Sequence, residues 1–321
     1  MLYAQIKTGG KNKIYEAIDL EKQLVEDSSH LLEDITLSDC NSVNVLHVIS
    51  EGYLTGGHTR LCERLASMGK YPSDLLITRQ VNEAVVRRLN KYFSEISQTY
   101  CSNIEENIIK QLLVLSKYKK VVLHIHPDDI LLVISLGLLK STKKYIQIYF
   151  VNHADHLFSY GKSLPDVMFQ ISNRGYQIDS TISGANYKNS FLGIPISNCL
   201  EPNFKLTTRN FIMAGSSYKM KPNSKFSAPK LVNYILTKNK ESTFTIIGVR
   251  KSDYWWWLLK LKFKHRCLIY NELAYADYVE VIKRSDVCVD TLPITGGTAF
   301  VEMYMLGLKP LGINTGISGY T

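Results

Sequence analysis

Hydrophobic positions along the chain alternate between short β-branched runs and longer segments in which apolar residues recur every three or four positions. The short runs are typical of buried parallel strands, and the longer segments are typical of amphipathic helices. In the first half, the pattern predicts strands over residues 43–49, 121–125 and 145–151 and helices over residues 59–68 and 130–139. Strands that alternate with helices indicate an α/β fold with parallel sheets and right-handed crossovers.

The pattern resumes in the second half with strands over residues 211–214, 244–248, 267–270 and 285–290 and helices over residues 230–237 and 275–284. The segment Leu-Glu-Pro-Asn-Phe-Lys-Leu, residues 200–206, separates the two series and is the predicted linker. We therefore predict two Rossmann-like domains, residues 42–200 and 201–321. Residues 1–41 are acidic and weakly periodic, and they are interpreted as an N-terminal extension.

Composition indicates a folded chain, because 45% of the residues are hydrophobic and 21% are charged. The six cysteines form no Cys-x-x-Cys pair and no secretory signal opens the sequence, so reduced thiols and a cytoplasmic location are expected. The longest apolar run, residues 130–139, is too short to span a bilayer.

Positive charge is concentrated in the second half. Residues 1–200 carry 21 Lys and Arg against 20 Asp and Glu, whereas residues 201–321 carry 17 against 9. This excess predicts an anionic partner: a sugar-nucleotide diphosphate, an anionic membrane surface or nucleic acid. No nucleic-acid-binding module is visible, so nucleic acid is not expected. A solvated basic surface is the alternative.

The most informative motif follows the predicted strand 285–290. Gly296, Gly297 and Thr298 form a turn that leads into an apolar helix, and Glu302 follows one helical turn later. Such a turn presents backbone N–H groups at a helix N-terminus, where proteins bind phosphate, and the carboxylate could reach ribose hydroxyl groups. An ordinary strand–turn–helix connection also uses glycine, so that interpretation stays open.

A second polar loop, Gly-Ser-Ser-Tyr-Lys-Met-Lys-Pro over residues 215–222, follows a strand in the same half. It places Lys219 and Lys221 just beyond the strand end. Ammonium groups there can neutralise a diphosphate leaving group without a metal ion. Either lysine could instead be a solvated loop charge.

In the first half, the loop after the first strand contains Gly56, Gly57 and His58. The glycines would let the backbone approach a ligand closely, and the histidine would point into a cleft at the carboxyl ends of the strands. A tight turn with a surface histidine is the alternative.

Two histidine-rich segments, residues 124–129 and 152–156, also follow strands. His124 and His126 share a strand face, but the sequence fixes no third ligand, so no metal is expected. The preferred interpretation is that these segments provide acid–base catalysis or hydrogen bonds to a polyhydroxyl substrate, and His153 and Asp155 are the candidates for this role. A buried structural histidine is equally open for His124.

The segment over residues 253–266 combines Trp255, Trp256 and Trp257 with lysine and arginine. Three adjacent tryptophans cannot all face one core, and a basic amphipathic helix with aromatic residues is typical of a peripheral membrane contact. Core packing of one or two tryptophans is the alternative.

The order of these motifs resembles that of GT-B glycosyltransferases. The second half is most similar to the catalytic module of O-linked N-acetylglucosamine transferases, and residues 152–156 resemble a motif of bacterial surface-polysaccharide glycosyltransferases. The resemblance implies a GT-B fold of two Rossmann-like domains facing a cleft. It also implies a metal-independent transferase with no cofactor, which moves a sugar from a nucleotide donor, such as a UDP-sugar, to a glycan, lipid-linked or protein acceptor.

This hypothesis assigns a role to each candidate residue. Residues 42–200 would bind the acceptor and residues 201–321 the donor, in O-antigen or capsule biosynthesis at the inner face of the membrane. The donor-binding candidates are Lys219, Lys221, Gly296, Gly297, Thr298 and Glu302. The acceptor-binding candidates are Gly56, Gly57 and His126. The catalytic candidates are His58, His153 and Asp155, with Asp155 or His153 as general base.

The sequence departs from the family pattern in three places. Gly297 stands where the family turn often has histidine, and Gly307 and Pro310 are one residue further apart than in the family's Gly-x-Pro. The sequence ends at Thr321, before the helix that crosses back to the first domain, which leaves open whether the C-terminal domain is truncated. A sugar-nucleotide epimerase of the same fold and an inactive nucleotide-binding or membrane-associated scaffold are the alternatives.

Overall fold

The computed structural model describes residues 14–33, 35–54, 57–143, 145–182, 184–196 and 208–315. The chain divides into two compact units, Met1–Pro195 and Ile196–Thr321. The predicted linker 200–206 and the predicted acceptor residue Gly56 lie outside the described residues. The domain boundary at residues 200 and 201 therefore stays a prediction.

The first unit contains a seven-stranded parallel sheet in the order β3-β2-β1-β4-β5-β6-β7. Its strands are β1 (Val45–Ile49), β2 (Ser73–Ile77), β3 (Ile96–Gln98), β4 (Lys120–His124), β5 (Gln147–Asn152), β6 (Val167–Gln170) and β7 (Lys188–Phe191). Its helices are α1 (Ile18–Asp27), α2 (Gly57–Met68), α3 (Glu83–Leu89), α4 (Ile104–Leu115), α5 (Ile130–Thr142) and α6 (Asn173–Asp179). Side-chain caps begin several of them: Asn82 accepts from the N–H of Ala84 and Asn103 from that of Glu106.

Helix α1 belongs to the packed body of this unit, although the sequence analysis separates its residues as an extension. It packs against α5, where the absence of a side chain at Gly137 makes room for Val25: a Cβ there would lie 2.3 Å from Cγ2 of Val25. The fully buried carboxylate of Glu21 accepts from the N–H groups of Gly161 and Ser163 at 2.8 and 2.9 Å. The apolar faces of α1 and α5 are thereby removed from water together.

The second unit contains a five-stranded parallel sheet in the order β10-β9-β8-β11-β12. Its strands are β8 (Asn210–Ala214), β9 (Thr243–Ile247), β10 (Cys267–Tyr270), β11 (Val287–Val289) and β12 (Lys309–Leu311). Its helices are α7 (Ala228–Lys238), α8 (Tyr254–Phe263), α9 (Tyr275–Lys283) and α10 (Thr298–Met305). The predicted α/β fold with parallel sheets is confirmed in both units.

The strand order places a topological switch point in each sheet. In the first sheet the chain runs outward from β1 through β2 in one direction and outward from the neighbouring β4 through β5 in the opposite direction. In the second sheet it runs outward from β8 through β9 and, in the opposite direction, from the neighbouring β11 to β12. Loops on opposite faces of a parallel sheet separate at such a point, which is where α/β proteins bind ligands. Within the described residues, no helix has the length and hydrophobicity needed to cross a bilayer.

Candidate functional site

Three backbone segments meet closely at the carboxyl edge of the second sheet. A Cβ on Gly248, whose φ is +98°, would lie 1.9 Å from the carbonyl oxygen of Gly215. A Cβ on Gly215 would lie 2.7 Å from Cγ2 of Thr291. The loops after β8 and β9 therefore pack backbone against backbone, and the Thr291 side chain from the loop after β11 occupies the space that a side chain at Gly215 would need.

The turn after β11 is held by a buried carboxylate. Asp290 accepts from the N–H of Thr291 at 2.7 Å and from the N–H of Gly296 at 2.8 Å. The hydrogen bond to Gly296 fixes the loop between β11 and α10, in which Gly296 and Gly297 both have positive φ angles. In the sequence Asp290 is recognisable only as the end of a strand, and the structure shows that its carboxylate anchors the turn.

Lys219 is brought to this turn, as the motif order predicts. Its Nζ donates to the carbonyl oxygen of Gly296 at 3.1 Å, and a Cβ on Gly297 would lie 2.8 Å from the same Nζ. A cation therefore lies beside a glycine turn at the N-terminus of α10, where Thr298 is the first residue. Lys221 is exposed in the following loop.

Glu302 lies one turn into α10 and is buried, with 5% of its surface exposed. The hydroxyl of Tyr275 in α9 donates to Oε1 of Glu302 at 3.0 Å. The structure therefore gives this carboxylate a neighbour that the sequence analysis missed, because 27 residues separate the two positions.

In the first unit, four histidines form a connected group. Nδ1 of His47 lies 3.1 Å from Nε2 of His124, and Nδ1 of His124 lies 2.9 Å from Nε2 of His153. The ring of His58 lies 4.4 Å from that of His153, centroid to centroid. His58 and His153, predicted from separate motifs, are thus brought together. His47 was missed because it lies within an otherwise apolar strand. A polar residue in such a strand is the sequence signal that could have identified it.

The orientation of His58 defines its tautomer. Nε2 lies 2.7 Å from the carbonyl oxygen of His124, which can only accept, so Nε2 carries the proton and Nδ1 the lone pair. Nδ1 is buried and has no hydrogen-bond partner among the residues that the structure describes. Burial lowers the pKa of His58 to about 4 and lowers that of His153 well below its usual value, so both rings are neutral at pH 7.

Asp155 does not have the environment of a general base. Its buried carboxylate is 2.7 Å from Nη2 of Arg174 and 3.2 Å from Nδ1 of His156, and it accepts from the hydroxyl of Ser172. These partners outweigh burial and hold the pKa of Asp155 well below its usual range. The geometry therefore argues against the predicted base role of Asp155 and makes it an anchor of the loop between β6 and α6.

The third predicted histidine, His126, lies elsewhere on the same edge of the sheet. Its Nδ1 is 2.5 Å from Oδ1 of Asp128, which also accepts from Nη2 of Arg79 at 2.6 Å. Nη1 of Arg79 lies 3.1 Å from Oε1 of Glu51. Arg79, Glu51 and Asp128 line a pocket of about 510 Å³. Arg79 follows β2, a strand whose short run of Leu75 to Ile77 was not recognised from the sequence.

The three tryptophans divide between core and surface. Trp256 is fully buried in the core of the second unit and Trp255 packs partly against it, whereas Trp257 is 38% exposed. A membrane contact through Trp256 is therefore wrong, because its ring fills the space between α8 and the sheet; this is the core packing that the sequence analysis left open for one or two of the tryptophans. The exposed face of α8 instead consists of Tyr254, Trp257, Leu258 and Leu261.

Comparison with known proteins identifies the fold. No protein-family model and no curated sequence matches the chain. Among solved structures, the chain is similar to the lipopolysaccharide outer core galactosyltransferase WaaB, with a TM-score of 0.58 and 12% identity over 84% of this chain and 80% of that one. It is also similar to an O-GlcNAc transferase mutant of Thermobaculum terrenum, with a TM-score of 0.53 and 12% identity over 86% of this chain.

The chain spans only 54% of the length of that O-GlcNAc transferase chain. A UDP-GlcNAc 2-epimerase from Neisseria meningitidis is a weaker match, with a TM-score of 0.48 and 12% identity over 77% of each chain. The similarities above 0.5, together with the two parallel sheets, show that the chain has the GT-B fold.

Proposed function

We propose that this protein is a metal-independent glycosyltransferase that uses a nucleotide-diphosphate sugar as its donor. The observation that carries the proposal is the position of Lys219 Nζ beside the Gly296–Gly297 turn at the switch point of the second sheet. A diphosphate at this turn would meet a cation and the N-terminus of α10, which together stabilise the developing charge on a leaving nucleotide. The GT-B fold supports this assignment.

The remaining donor contacts follow from the same turn. Thr298 and Gly297 would complete the cradle around the phosphates, and Lys221 would add a second positive charge from the loop after Lys219. Glu302 would accept from ribose hydroxyl groups while Tyr275 holds its other side. A UDP-sugar is the first donor to test.

In the first unit we propose His58 as the general base. Its Nδ1 lone pair is directed away from the His124 carbonyl that fixes the ring, and within the described part of the chain Nδ1 has no hydrogen-bond partner. His153 packs against this ring and acts as a positioning residue. The pocket lined by Arg79, Glu51 and Asp128 offers the donors and acceptors that a polyhydroxyl acceptor needs, and His126 is hydrogen-bonded to Asp128 of this lining. Gly57 opens α2 beside His58.

The decisive experiment measures nucleotide binding and turnover in the presence of EDTA. Calorimetry with UDP, GDP and dTDP is followed by NMR of the products from the matching sugar nucleotides. Lys219→Met should weaken binding of the preferred nucleotide roughly 10- to 100-fold, since a hydrogen bond to a charged group contributes about 1.5–3 kcal/mol. Lys225→Met, an exposed lysine of the same region, should bind as the wild type does.

The outcomes separate the alternatives. Absence of binding by every nucleotide, or unchanged binding by Lys219→Met, would contradict the proposal. A new sugar nucleotide formed from donor alone would identify an epimerase, and binding without turnover would identify an inactive binding protein. His58→Gln should lower kcat with little change in the donor KM, because the base acts only in the transition state.

A peripheral membrane contact remains part of the proposal through the exposed face of α8. Tyr254, Trp257, Leu258 and Leu261 lie on one side of the helix, and Lys262 and Lys264 flank them. Apolar residues beside lysines match an anionic membrane surface. Leu258→Glu should abolish co-sedimentation with anionic vesicles; equal sedimentation of wild type and variant would contradict the contact.

A further inference from the structure

A buried cluster of metal-ligating side chains lies beneath the candidate catalytic histidines. It consists of His47 on β1, His124 at the end of β4 and Cys62 on α2, of which His47 is the most exposed at 4%. Nδ1 of His47 lies 3.1 Å from Nε2 of His124 and 4.0 Å from Sγ of Cys62. The three ligand atoms all lie within 4.8 Å of one another. The proposed sugar transfer assigns none of the three a contact with donor or acceptor, although the His124 side chain also hydrogen-bonds His153.

The fold itself brings the three side chains together. β1 and β4 are parallel neighbours in which Ile49 pairs with His124, so His47, two residues before Ile49, lies on the same face of the sheet as His124. Helix α2 covers this face and turns Cys62 toward it, within the apolar cluster that contains Ile49 and Leu75. Two strands and a helix of the core therefore supply the ligands, which limits their movement.

We propose that His47, His124 and Cys62 bind a zinc ion. Zinc bound tetrahedrally at about 2.0–2.1 Å from nitrogen and about 2.3 Å from sulfur separates two nitrogens by about 3.3 Å and a nitrogen from a sulfur by about 3.6 Å. The observed 3.1 and 4.0 Å differ from these separations by a few tenths of an ångström. Two imidazoles and a thiolate form a ligand set that zinc prefers, and three protein ligands are usual where the fourth position is left open.

A neighbouring hydrogen bond supports the orientation that this site needs. Nδ1 of His124 lies 2.9 Å from Nε2 of His153. When the Nδ1–H of His124 donates to His153, the lone pair of Nε2 points toward His47 and Cys62. Metal-binding histidines generally make such a second hydrogen bond, which fixes their tautomer. Binding converts the Cys62 thiol to a thiolate, and the proton is released to solvent.

The test is a metal titration of the full chain after removal of bound metal with a chelator. Co²⁺ serves as the spectroscopic probe, and Zn²⁺ affinity is measured by competition with a chromogenic chelator. We expect one Co²⁺ per chain, with a near-ultraviolet thiolate-to-cobalt absorption that added Zn²⁺ removes. Cys62→Ser should lose that absorption and bind Zn²⁺ at least tenfold more weakly. Cys267→Ser, which changes a buried cysteine of the second unit, should keep both.

Three outcomes would overturn the site: no thiolate-to-cobalt absorption in the wild type, its persistence in Cys62→Ser, or its loss in Cys267→Ser. Circular dichroism checks that each variant is folded. His47→Gln is a second variant that leaves every thiol in place. It should keep the fold and reduce Zn²⁺ affinity at least tenfold, and unchanged affinity would also overturn the proposal. Because these readouts require no sugar nucleotide, the zinc site and the transferase function can fail independently.

Discussion

The buried ion pair between Lys162 and Asp179 offers a sharp test of how the first unit is stabilised. Nζ of Lys162 lies 2.5 Å from Oδ1 of Asp179, and their side chains are 4% and 0% exposed. Asp179 is the last residue of α6, where the helix dipole disfavours negative charge. Lys162→Met therefore leaves a buried carboxylate without its cation.

The expected cost follows from this burial. Removal of one partner of a buried ion pair lowers the free energy of unfolding by about 3–5 kcal/mol, because the remaining charge has lost water without gaining a partner. Replacement of both partners by apolar residues removes the unpaired charge. We therefore expect the double variant Lys162→Met/Asp179→Leu to unfold within about 1 kcal/mol of the wild type.

Urea unfolding of the full chain measures these energies by far-ultraviolet circular dichroism. The three tryptophans all lie in α8, so their fluorescence reports the second unit and serves as an internal control. Lys188→Met changes an exposed lysine of the first unit and should alter the free energy by less than about 0.5 kcal/mol. A cost below about 1 kcal/mol for Lys162→Met, or additive costs in the double variant, would refute the reasoning.

Two further substitutions test the packing of the second unit. Trp256→Ala removes a fully buried ring and should cost about 3–5 kcal/mol in urea unfolding, whereas Trp257→Ala should cost about 1 kcal/mol or less; equal costs would contradict the assigned burial. Gly248→Ala places a Cβ 1.9 Å from the Gly215 carbonyl oxygen at φ +98° and should cost about 2 kcal/mol or more, and an unchanged Tm would contradict the close approach of the two loops.

Strands with continuous apolar runs were predictable from the sequence because both faces of a parallel sheet are buried. β1, β4, β5 and β8 were recognised in this way, within two residues at their ends. β7 was missed because Lys-Asn-Ser-Phe at the sheet edge has no apolar run. An edge strand such as β7 is stabilised by pairing with its one neighbour, β6, and the local sequence contains no sign of that pairing.

The candidate site shows the same division between local and long-range information. The meeting of Lys219 with Gly296 was predictable, since both follow parallel strands whose carboxyl ends share one edge. The ion pair of Asp155 with Arg174 was not, because the sequence does not show which distant cation reaches a given carboxylate. The core position of Trp256 likewise depends on which face of α8 packs against the sheet, and the sequence does not show which face that is.

The packing of α1 has a practical consequence for any shortened version of this protein. Removal of residues 1–41 would uncover the groove at Gly137 into which Val25 fits, and it would leave an apolar helix surface open to water. It would also take away the Glu21 carboxylate that accepts from Gly161 and Ser163. We expect such a truncated chain to aggregate during expression, whereas removal of residues 1–13 alone would keep these contacts intact.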